Sequence, residues 1–342
     1  MAARCCVNGC RSWLASHASI RPAALPSATY AVKRGTLLAQ RSPRARNYAV
    51  LRAPKKAPSN SEIFNLSEIP LSSFEGIIAR NGDSFLQLKP SEYYSCAEKF
   101  AEAVQRGSNP WSITLTAKDG FPPHVVHETA CIMRQVHGPR SADAFATALW
   151  ASASEAGYRP STLSLARQLI RSGAFGRVPQ LRKVEARFKQ LVSMAKDPDA
   201  LTAEGELLFE QGNYDGAVRV LQRALQVGAT DFEWKPYCQL CLGKAYLQIQ
   251  KRDEAREILE SLSESGLVEA DIELSKMLRG LDRDTAEKHI YSAACNGRAD
   301  MFSHLAEIAV ERAADTSDKK SKEESLRWAR EWSKLADLRV EY

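Results

Sequence analysis

The sequence predicts an all-α protein built from antiparallel helix hairpins, and three observations support this class. Apolar residues recur with helical spacing from Phe64 to the C-terminus, and no series of alternating strands is present. Helix start and stop signals recur at short intervals along this region. Two blocks, aligned at Gly205 and Gly243, repeat the same spacing of small and apolar residues.

Residues 1–48 have the composition of a mitochondrial presequence. They contain eight Lys and Arg, many Ser and Ala, and no acidic residue. An Arg-rich, Ser-rich leader without acidic residues is typical of import into mitochondria. The stretch Arg46–Ala49 resembles a site that matrix peptidases cleave after Arg-x-Tyr, which predicts Ala49 as the mature N-terminus. The alternative is a basic tail that binds nucleic acid or anionic lipid.

Removal of this leader changes the charge of the chain. The full sequence carries 47 Lys and Arg against 41 Asp and Glu, and loss of the leader's eight basic residues changes the net charge from +6 to −2. A net charge of −2 does not favour a nucleic-acid partner. The five remaining cysteines lack the paired spacing of a disulfide framework, which fits a reducing compartment such as the matrix. Without an apolar stretch long enough to span a membrane, any membrane association would be peripheral.

The mature chain divides into a linker, an N-terminal helical region and a repeat region. Residues 49–69 begin with a run rich in Pro, Lys and Ser, typical of a linker. The N-terminal helical region covers residues 70–197, with helices predicted at 90–107, 123–137, 140–157, 161–173 and 178–196. Within it, residues 108–123 are predicted to form a short strand or a long loop.

The repeat region begins with two similar units, at residues 198–231 and 236–269. Both resemble tetratricopeptide repeats, which are 34-residue helix–turn–helix units. The resemblance implies that Gly205 and Gly243 allow close helix packing, and that Gly212 takes a positive φ in the turn. The sequence gives Gly216 no such role, and the alternative is a generic helix hairpin. The matching residues are Gly205, Leu208, Gly212, Tyr214, Ala217, Leu221 and Ala224, then Leu242, Gly243, Tyr246, Ala255, Leu259 and Leu262.

Two further units complete the predicted repeat region, 198–342. Residues 270–297 resemble Sel-one-like repeats, relatives of tetratricopeptide repeats, although His289 stands where that family usually has an aromatic residue. A degenerate fourth unit runs from Met301 to Trp328, and the charged stretch 314–325 within it is predicted to be an exposed loop. Upstream, residues 152–173 resemble a junction of pentatricopeptide repeats, with a helical hairpin that caps the array as the alternative.

Few residues indicate chemistry. His124, His127 and Cys131 would share one face of a helix, as metal ligands can, but their order matches no known zinc helix and no second cluster completes a site. Cys238 and Cys241 form a Cys-x-x-Cys pair within a predicted helix, where filling of the core is the simpler role. Motifs for phosphate, dinucleotide or acyl chemistry are absent from the sequence. We therefore assign no catalytic residue, no cofactor and no metal.

The tetratricopeptide resemblance also implies a binding groove, because such repeats bind proteins along the first helix of each unit. The chaperone-binding class uses Lys and Asn where this chain has Thr202 and Glu206, so that partner is disfavoured. Apolar groups flanked by carboxylates suit an apolar or mildly basic segment, although these side chains could instead pack within the repeats. The groove positions are Asp199, Thr202, Glu206, Phe209 and Glu210, then Tyr237, Leu240, Lys244, Leu247 and Gln248.

These observations lead to two hypotheses of function. The first is a soluble mitochondrial scaffold, in the matrix, that binds other proteins during assembly of a respiratory complex or in association with the mitochondrial ribosome. The second is a helical-repeat protein that binds RNA in mitochondrial gene expression, against which the net charge of −2 argues.

Overall fold

The computed structural model describes residues 59–81, 85, 88–229 and 231–337, and these contain fifteen α-helices and no strand. The predicted presequence and its cleavage site lie outside the described residues. In chain order the helices are α1 (Asn60–Ile63), α2 (Leu71–Arg80), α3 (Pro90–Gln105), α4 (Pro123–Arg134), α5 (Arg140–Glu155), α6 (Arg159–Arg171), α7 (Arg182–Met194), α8 (Pro198–Glu210), α9 (Tyr214–Val227), α10 (Lys235–Gln248), α11 (Arg252–Glu264), α12 (Val268–Leu278), α13 (Arg283–Cys295), α14 (Met301–Asp315) and α15 (Lys319–Ala336). The all-α prediction is confirmed.

Successive helices from α4 onward pack as hairpins, and the hairpins stack on one another. The hairpins are α4–α5, α6–α7, α8–α9, α10–α11, α12–α13 and α14–α15. The first helices also contact one another across hairpins: α6 touches α8, α8 touches α10, and α10 touches α12. Such contacts place the first helices on the inner side of a curved array, with the second helices outside.

The N-terminal helices share one large core. Phe64, Phe100 and Phe145, from separate parts of the chain, pack edge to face or tilted with ring centroids 5.2–6.2 Å apart. Residues 108–123 lie over this core as a loop with two short 3₁₀ turns rather than as a strand. The backbone N–H of Leu115 donates to Ser152 Oγ at 2.8 Å, so that a side chain takes the place of a strand partner.

The small residues of the repeats have the roles that the sequence predicts. Ala217 and Ala255 are fully buried, and Gly212 has a φ of 77° in the turn between α8 and α9. A Cβ atom on Gly205 would lie 2.5 Å from Leu221 Cγ, whereas one on Gly243 would lie 3.2 Å from the Leu259 side chain. The close approach of helices in each hairpin therefore depends on glycine, most strictly at position 205.

A local contact explains why residue 216 is glycine, which the sequence alone does not show. The side chain of Asn213 caps α9 by accepting a hydrogen bond from the Gly216 N–H at 3.0 Å. This side chain lies so close that a Cβ atom on residue 216 would come within 2.7 Å of its amide. Glycine at this position thus leaves room for the cap.

The expectation of an exposed loop at 314–325 is wrong for most of its length. Helix α14 continues to Asp315 and α15 begins at Lys319, so the connection is only residues 316–318. Asp318 caps the new helix by accepting a hydrogen bond from the Ser321 N–H at 2.9 Å. The Lys and Glu residues that suggest a loop are also good helix formers. Here they form the exposed surface of the first turns of α15.

The buried alanines give a matched test of the repeat register. We expect Ala255→Leu to lower the free energy of unfolding by about 1–3 kcal/mol, because the added atoms overpack the contact between α10 and α11. Ala314→Leu is the control, since Ala314 is an exposed alanine on α14, and it should stay within about 0.5 kcal/mol of the wild type. Thermal unfolding followed by circular dichroism measures both. Equal melting temperatures for the two variants would contradict the register.

Candidate functional site

The predicted groove residues lie on α8 and α10, two neighbouring first helices of the array. The structure brings these two helices into contact, but it encloses part of the predicted surface. Asp199, Thr202 and Tyr237 are only 5%, 1% and 7% exposed. The expectation that Tyr237 faces outward is therefore wrong, and the same holds for Asp199 and Thr202.

Three arginines of helix α6 bind the enclosed half of the predicted groove, which contains Asp199, Glu206 and Tyr237. Sequence reasoning missed these arginines. Arg159 forms ion pairs with Asp197 and with Asp199, the latter at 2.6 Å from Nη2 to Oδ2. Arg167 and Arg171 both bind Glu206, with Nε–Oε distances of 2.9 and 2.7 Å. Arg167 and Arg171 lie four residues apart on one helix face, and this spacing is the signal that could have indicated a common target.

Arg167 also contacts two aromatic rings from the start of α10. Its guanidinium carbon lies 4.8 Å from the ring centroid of Trp234 and 4.6 Å from that of Tyr237. Cation–π contacts at this distance are favourable, and more so when water is excluded. Trp234 ends the sequence DFEW, residues 231–234, which joins the two repeats, and its backbone N–H donates to Asp199 Oδ1 at 3.0 Å. This connecting segment is therefore part of the network that joins α6, α8 and α10.

The charges in this network shift each other's pKa. Burial alone would raise the pKa of Glu206, but the opposing effect of Arg167 and Arg171 is larger and lowers it to about 2. Burial would also raise the pKa of Asp197, but the hydrogen bonds from Arg159 outweigh this effect. The pKa of Asp197 is therefore lowered. Both carboxylates are thus held ionised at neutral pH.

This pKa shift predicts a pH-dependent stability. Because the pKa of Glu206 falls from 4.5 to about 2 on folding, its contribution is fully present above about pH 4.5 and is lost as the pH falls through 2. We expect Glu206→Gln to cost about 3 kcal/mol at pH 7, since it leaves buried arginine charge without a carboxylate. The difference from the wild type should shrink steadily below pH 4.5, as measured by urea unfolding between pH 7 and pH 2.5.

Glu210→Gln on the same helix is the control, because Glu210 is exposed. It should change the free energy of unfolding by no more than about 0.5 kcal/mol at any pH. If Glu206→Gln were as stable as this control at pH 7, the network would carry none of the stability that we ascribe to it.

The other half of the predicted groove remains accessible. Phe209, Leu240, Lys244 and Leu247 are partly exposed, and Glu210 and Gln248 are exposed beside them. The Phe209 ring lies 5.4 Å from that of Tyr214, and Lys244 Nζ lies 5.0 Å from the Phe209 ring centroid. The structure thus leaves a small surface of apolar groups and one cation, which we name the open groove: Phe209, Leu240, Lys244 and Leu247.

The histidine and cysteine candidates have structural partners. His127 is buried, its Nδ1 lies 2.8 Å from Ser161 Oγ, and its Nε2 lies 3.5 Å from Cys131 Sγ. In the described part of the chain, no group of three or more His, Cys, Asp or Glu is placed to hold a metal ion. This arrangement gives His127 and Cys131 a structural role beside Ser161.

The Cys238 and Cys241 pair lies within α10, as the repeat register predicts. Cys238 is fully buried and its thiol lies 3.5 Å from the Leu221 carbonyl oxygen. Burial raises the pKa of Cys238 to about 11 and that of Cys241 to about 12. Because the thiolate is the reactive form, both thiols are poor nucleophiles at neutral pH.

Helix hairpins stacked in register, with the first helices inside, define this chain as a helical-repeat array. Residues 208–272 match the tetratricopeptide repeat family, and this match covers the turn and second helix of the first predicted unit and all of the second unit. The described helices therefore form a helical-repeat array, and residues 208–272 within it are similar to tetratricopeptide repeats. Among the described helices, none has the length and apolarity to cross a bilayer.

A similar solved structure is the Sel1 repeat protein from Oxalobacter formigenes. It shares 19% sequence identity with this chain at a TM-score of 0.42, and the alignment covers 70% of this chain and 97% of the other. No curated protein matches the sequence.

Proposed function

We propose that this protein is a mitochondrial scaffold that binds another protein through the open groove. The observation that carries this proposal is the contrast between the two halves of the inner face. The enclosed half has its ionic and aromatic groups satisfied by α6, whereas Phe209, Leu240 and Leu247 keep accessible apolar surface on the helices that repeat arrays use for binding. Helical-repeat arrays act in general as scaffolds for protein interaction.

The chemistry of the open groove sets the kind of partner. Its side chains are one aromatic ring, two leucines and one lysine, next to the carboxylate of Glu210. An apolar segment fits the ring and the leucines, and a polar or mildly charged flank fits the lysine and the carboxylate. We further propose, from the leader at residues 1–48, that the partner belongs to a mitochondrial assembly, either a respiratory complex or the ribosome.

A double variant tests the open groove. We expect Phe209→Ala with Lys244→Ala to remain folded, because both side chains are partly exposed, and to lose its partner when the tagged protein is purified from mitochondria. An aromatic anchor at a hot spot is worth about 2 kcal/mol or more, or roughly a thirtyfold loss of affinity. Tyr237 is not included, because it is buried under Arg167. The substitution Tyr237→Ala would therefore test folding rather than binding.

Met194→Ala with Lys196→Ala is the matched control. Met194 ends α7 and is 52% exposed, and Lys196 is exposed two residues later, so this pair removes one apolar and one cationic group elsewhere on the surface. It should keep the partner. Retention of every partner by the Phe209 and Lys244 variant would place binding outside the open groove.

RNA binding is a second candidate, because of one observation on α7 and the segment before it. Residues 171–196 contain seven Lys and Arg against one Glu. Arg177, Arg182, Lys189 and Lys196 are exposed, and in the described part of the chain they form no ion pair. Phosphate binding by such residues weakens steeply with salt. RNA that co-purifies and is lost in a charge-reversed α7 variant, with the open groove intact, would favour this function over the scaffold.

The leader makes a separate prediction about processing. We expect the protein isolated from mitochondria to begin at Ala49, since the acid-free leader and the Arg-x-Tyr-Ala sequence coincide. N-terminal sequencing measures this directly, and Arg46→Ala should shift or prevent cleavage. Retention of Met1 in cells, or residence in the cytosol, would overturn the mitochondrial part of the proposal without affecting the open groove.

A further inference from the structure

The exposed side of α7 carries charges of one sign. Arg182, Lys183 and Lys189 are exposed. The single acidic residue of this helix, Glu185, is buried and accepts a hydrogen bond from the Gly176 N–H at 2.7 Å. Arg182 and Lys189 are seven residues apart, or two helical turns, so they lie on the same side of α7 and about 10 Å from one another along its axis. Basic residues therefore dominate the outward side of this helix.

The excess of positive charge remains when every helix packed against α7 is counted. Helices α5, α6 and α8 pack against it. Residues 140–210, which include all four helices, contain ten Lys and Arg against eight Asp and Glu. Five of the eight acids are held in ion pairs with arginine: Asp143, Glu155, Asp197, Asp199 and Glu206. Because the mature chain has a net charge of −2, the positive charge here is a local feature.

Four cations at α7 and its ends have no ion pair in the described part of the chain, and we name them the basic face: Arg177, Arg182, Lys189 and Lys196. Glu204 of α8 interacts electrostatically with Lys189, but it is one partly buried acid beside four exposed cations. Ala186 and Ser193 lie on the same side of α7 as Arg182, and both are small and exposed. A flat polyanion can therefore approach this side closely.

The basic face has no aromatic ring to offer. In residues 171–196, all of which the structure describes, the aromatic residues are Phe175 and Phe188. Phe188 is fully buried, and Phe175 packs against it edge to face with ring centroids 5.7 Å apart. Proteins that bind unpaired bases stack them on exposed rings, and protein interfaces centre on aromatic anchors and are poor in lysine. The composition of this face thus fits neither kind of partner.

Helix α15 shows that exposed cations alone do not make such a face. Its Lys320 and Arg327 are exposed and also lie seven residues apart, but Glu324 and Glu331 are exposed between and beyond them. A polyanion that approaches α15 meets both signs of charge, whereas one that approaches α7 meets only cations. The two helices therefore provide a matched pair for experiment.

We propose that the basic face binds the phosphate backbone of double-stranded RNA without reading its sequence. This rests on the second candidate function, RNA binding, and names the form of RNA that is bound. In an RNA duplex the bases are stacked inside, and the phosphates and 2′-hydroxyls are what a protein surface meets. Arg182 and Lys189 would bind phosphate oxygens through charge-assisted hydrogen bonds, with Arg177 and Lys196 extending the contact at either end.

The test measures binding of labelled RNA by fluorescence anisotropy. The probes are two duplexes of about 16 base pairs with unrelated sequences, a length that a double-stranded RNA module spans, and one single strand of the same length. The protein is isolated from mitochondria, so that every variant has the same N-terminus. We expect the two duplexes to bind with affinities within about twofold of each other, and the single strand to bind at least tenfold more weakly.

A double variant tests the basic face itself. Arg182→Ala with Lys189→Ala should weaken both duplexes at least tenfold, with an unchanged circular dichroism spectrum, because both side chains are exposed. The slope of log affinity against log salt, measured from about 50 to 200 mM, should fall by about two, since each lost phosphate contact lowers it by about one. A purely structural role would leave this slope unchanged.

Three controls accompany this variant. Lys320→Ala with Arg327→Ala removes the same two charges at the same spacing on α15, and should bind both duplexes as the wild type does. Arg182→Lys with Lys189→Arg keeps both charges and should keep the salt slope. The Phe209 and Lys244 variant should bind RNA normally, which separates the basic face from the open groove.

The outcomes distinguish this inference from the RNA-binding candidate on which it rests. A single strand bound as tightly as the duplexes, or a preference for one duplex sequence, would overturn backbone binding and leave RNA binding in place. No binding to any RNA probe would overturn both. An equal loss in the α15 variant would show that net charge alone is responsible, without a specific face.

Three further probes test other ligands with the same charge. A DNA duplex bound at least tenfold more tightly than RNA would make DNA the ligand. Poly-glutamate bound as tightly as the RNA duplexes would assign the basic face to an acidic protein segment. Vesicles of phosphatidylcholine and phosphatidylglycerol, bound in preference to RNA, would assign it to a membrane surface. Each of these results would overturn the proposal.

Discussion

The repeat array depends on the position of one side chain, the guanidinium of Arg167. It projects from α6, binds the carboxylate of Glu206 on α8, and lies against Trp234 and Tyr237 at the start of α10. A buried arginine without its carboxylate is costly, because its charge has been removed from water. The three helices therefore have to meet in one arrangement, and the N-terminal helical region and the repeats become continuous at this point.

That constraint also determines where the inner face can bind. Arg159, Arg167 and Arg171 satisfy the carboxylates of the first repeat, so a ligand would have to displace ion pairs that are already formed. Accessible apolar surface begins one turn later, at Phe209, and continues on α10. The same feature that joins the two regions thus leaves only the C-terminal part of the groove accessible to the partner that we propose.

The sequence predicts the fold well, because its signals are local or repeat at a fixed period. Gly205, Ala217 and Ala255 identify the close contacts within hairpins, and each is buried as predicted. The site is harder to predict, because Arg167 lies 39 residues from Glu206 in sequence, and no periodic pattern relates them. Groove positions carried over from a repeat family assume a neighbouring helix that leaves them open, and here α6 closes half of them. The charged start of α15 misleads for a related reason, since composition alone does not separate an exposed helix from a loop.

The exposed rings of α15 call for an explanation other than burial, because only Ala329 of this helix is buried. Lys319, Lys320 and Glu323 in its first turns are exposed as well. A half-exposed tryptophan such as Trp328, which stacks on Trp332, contributes less to folding than a buried one, and aromatic surface of this kind on a folded protein is typical of a contact site.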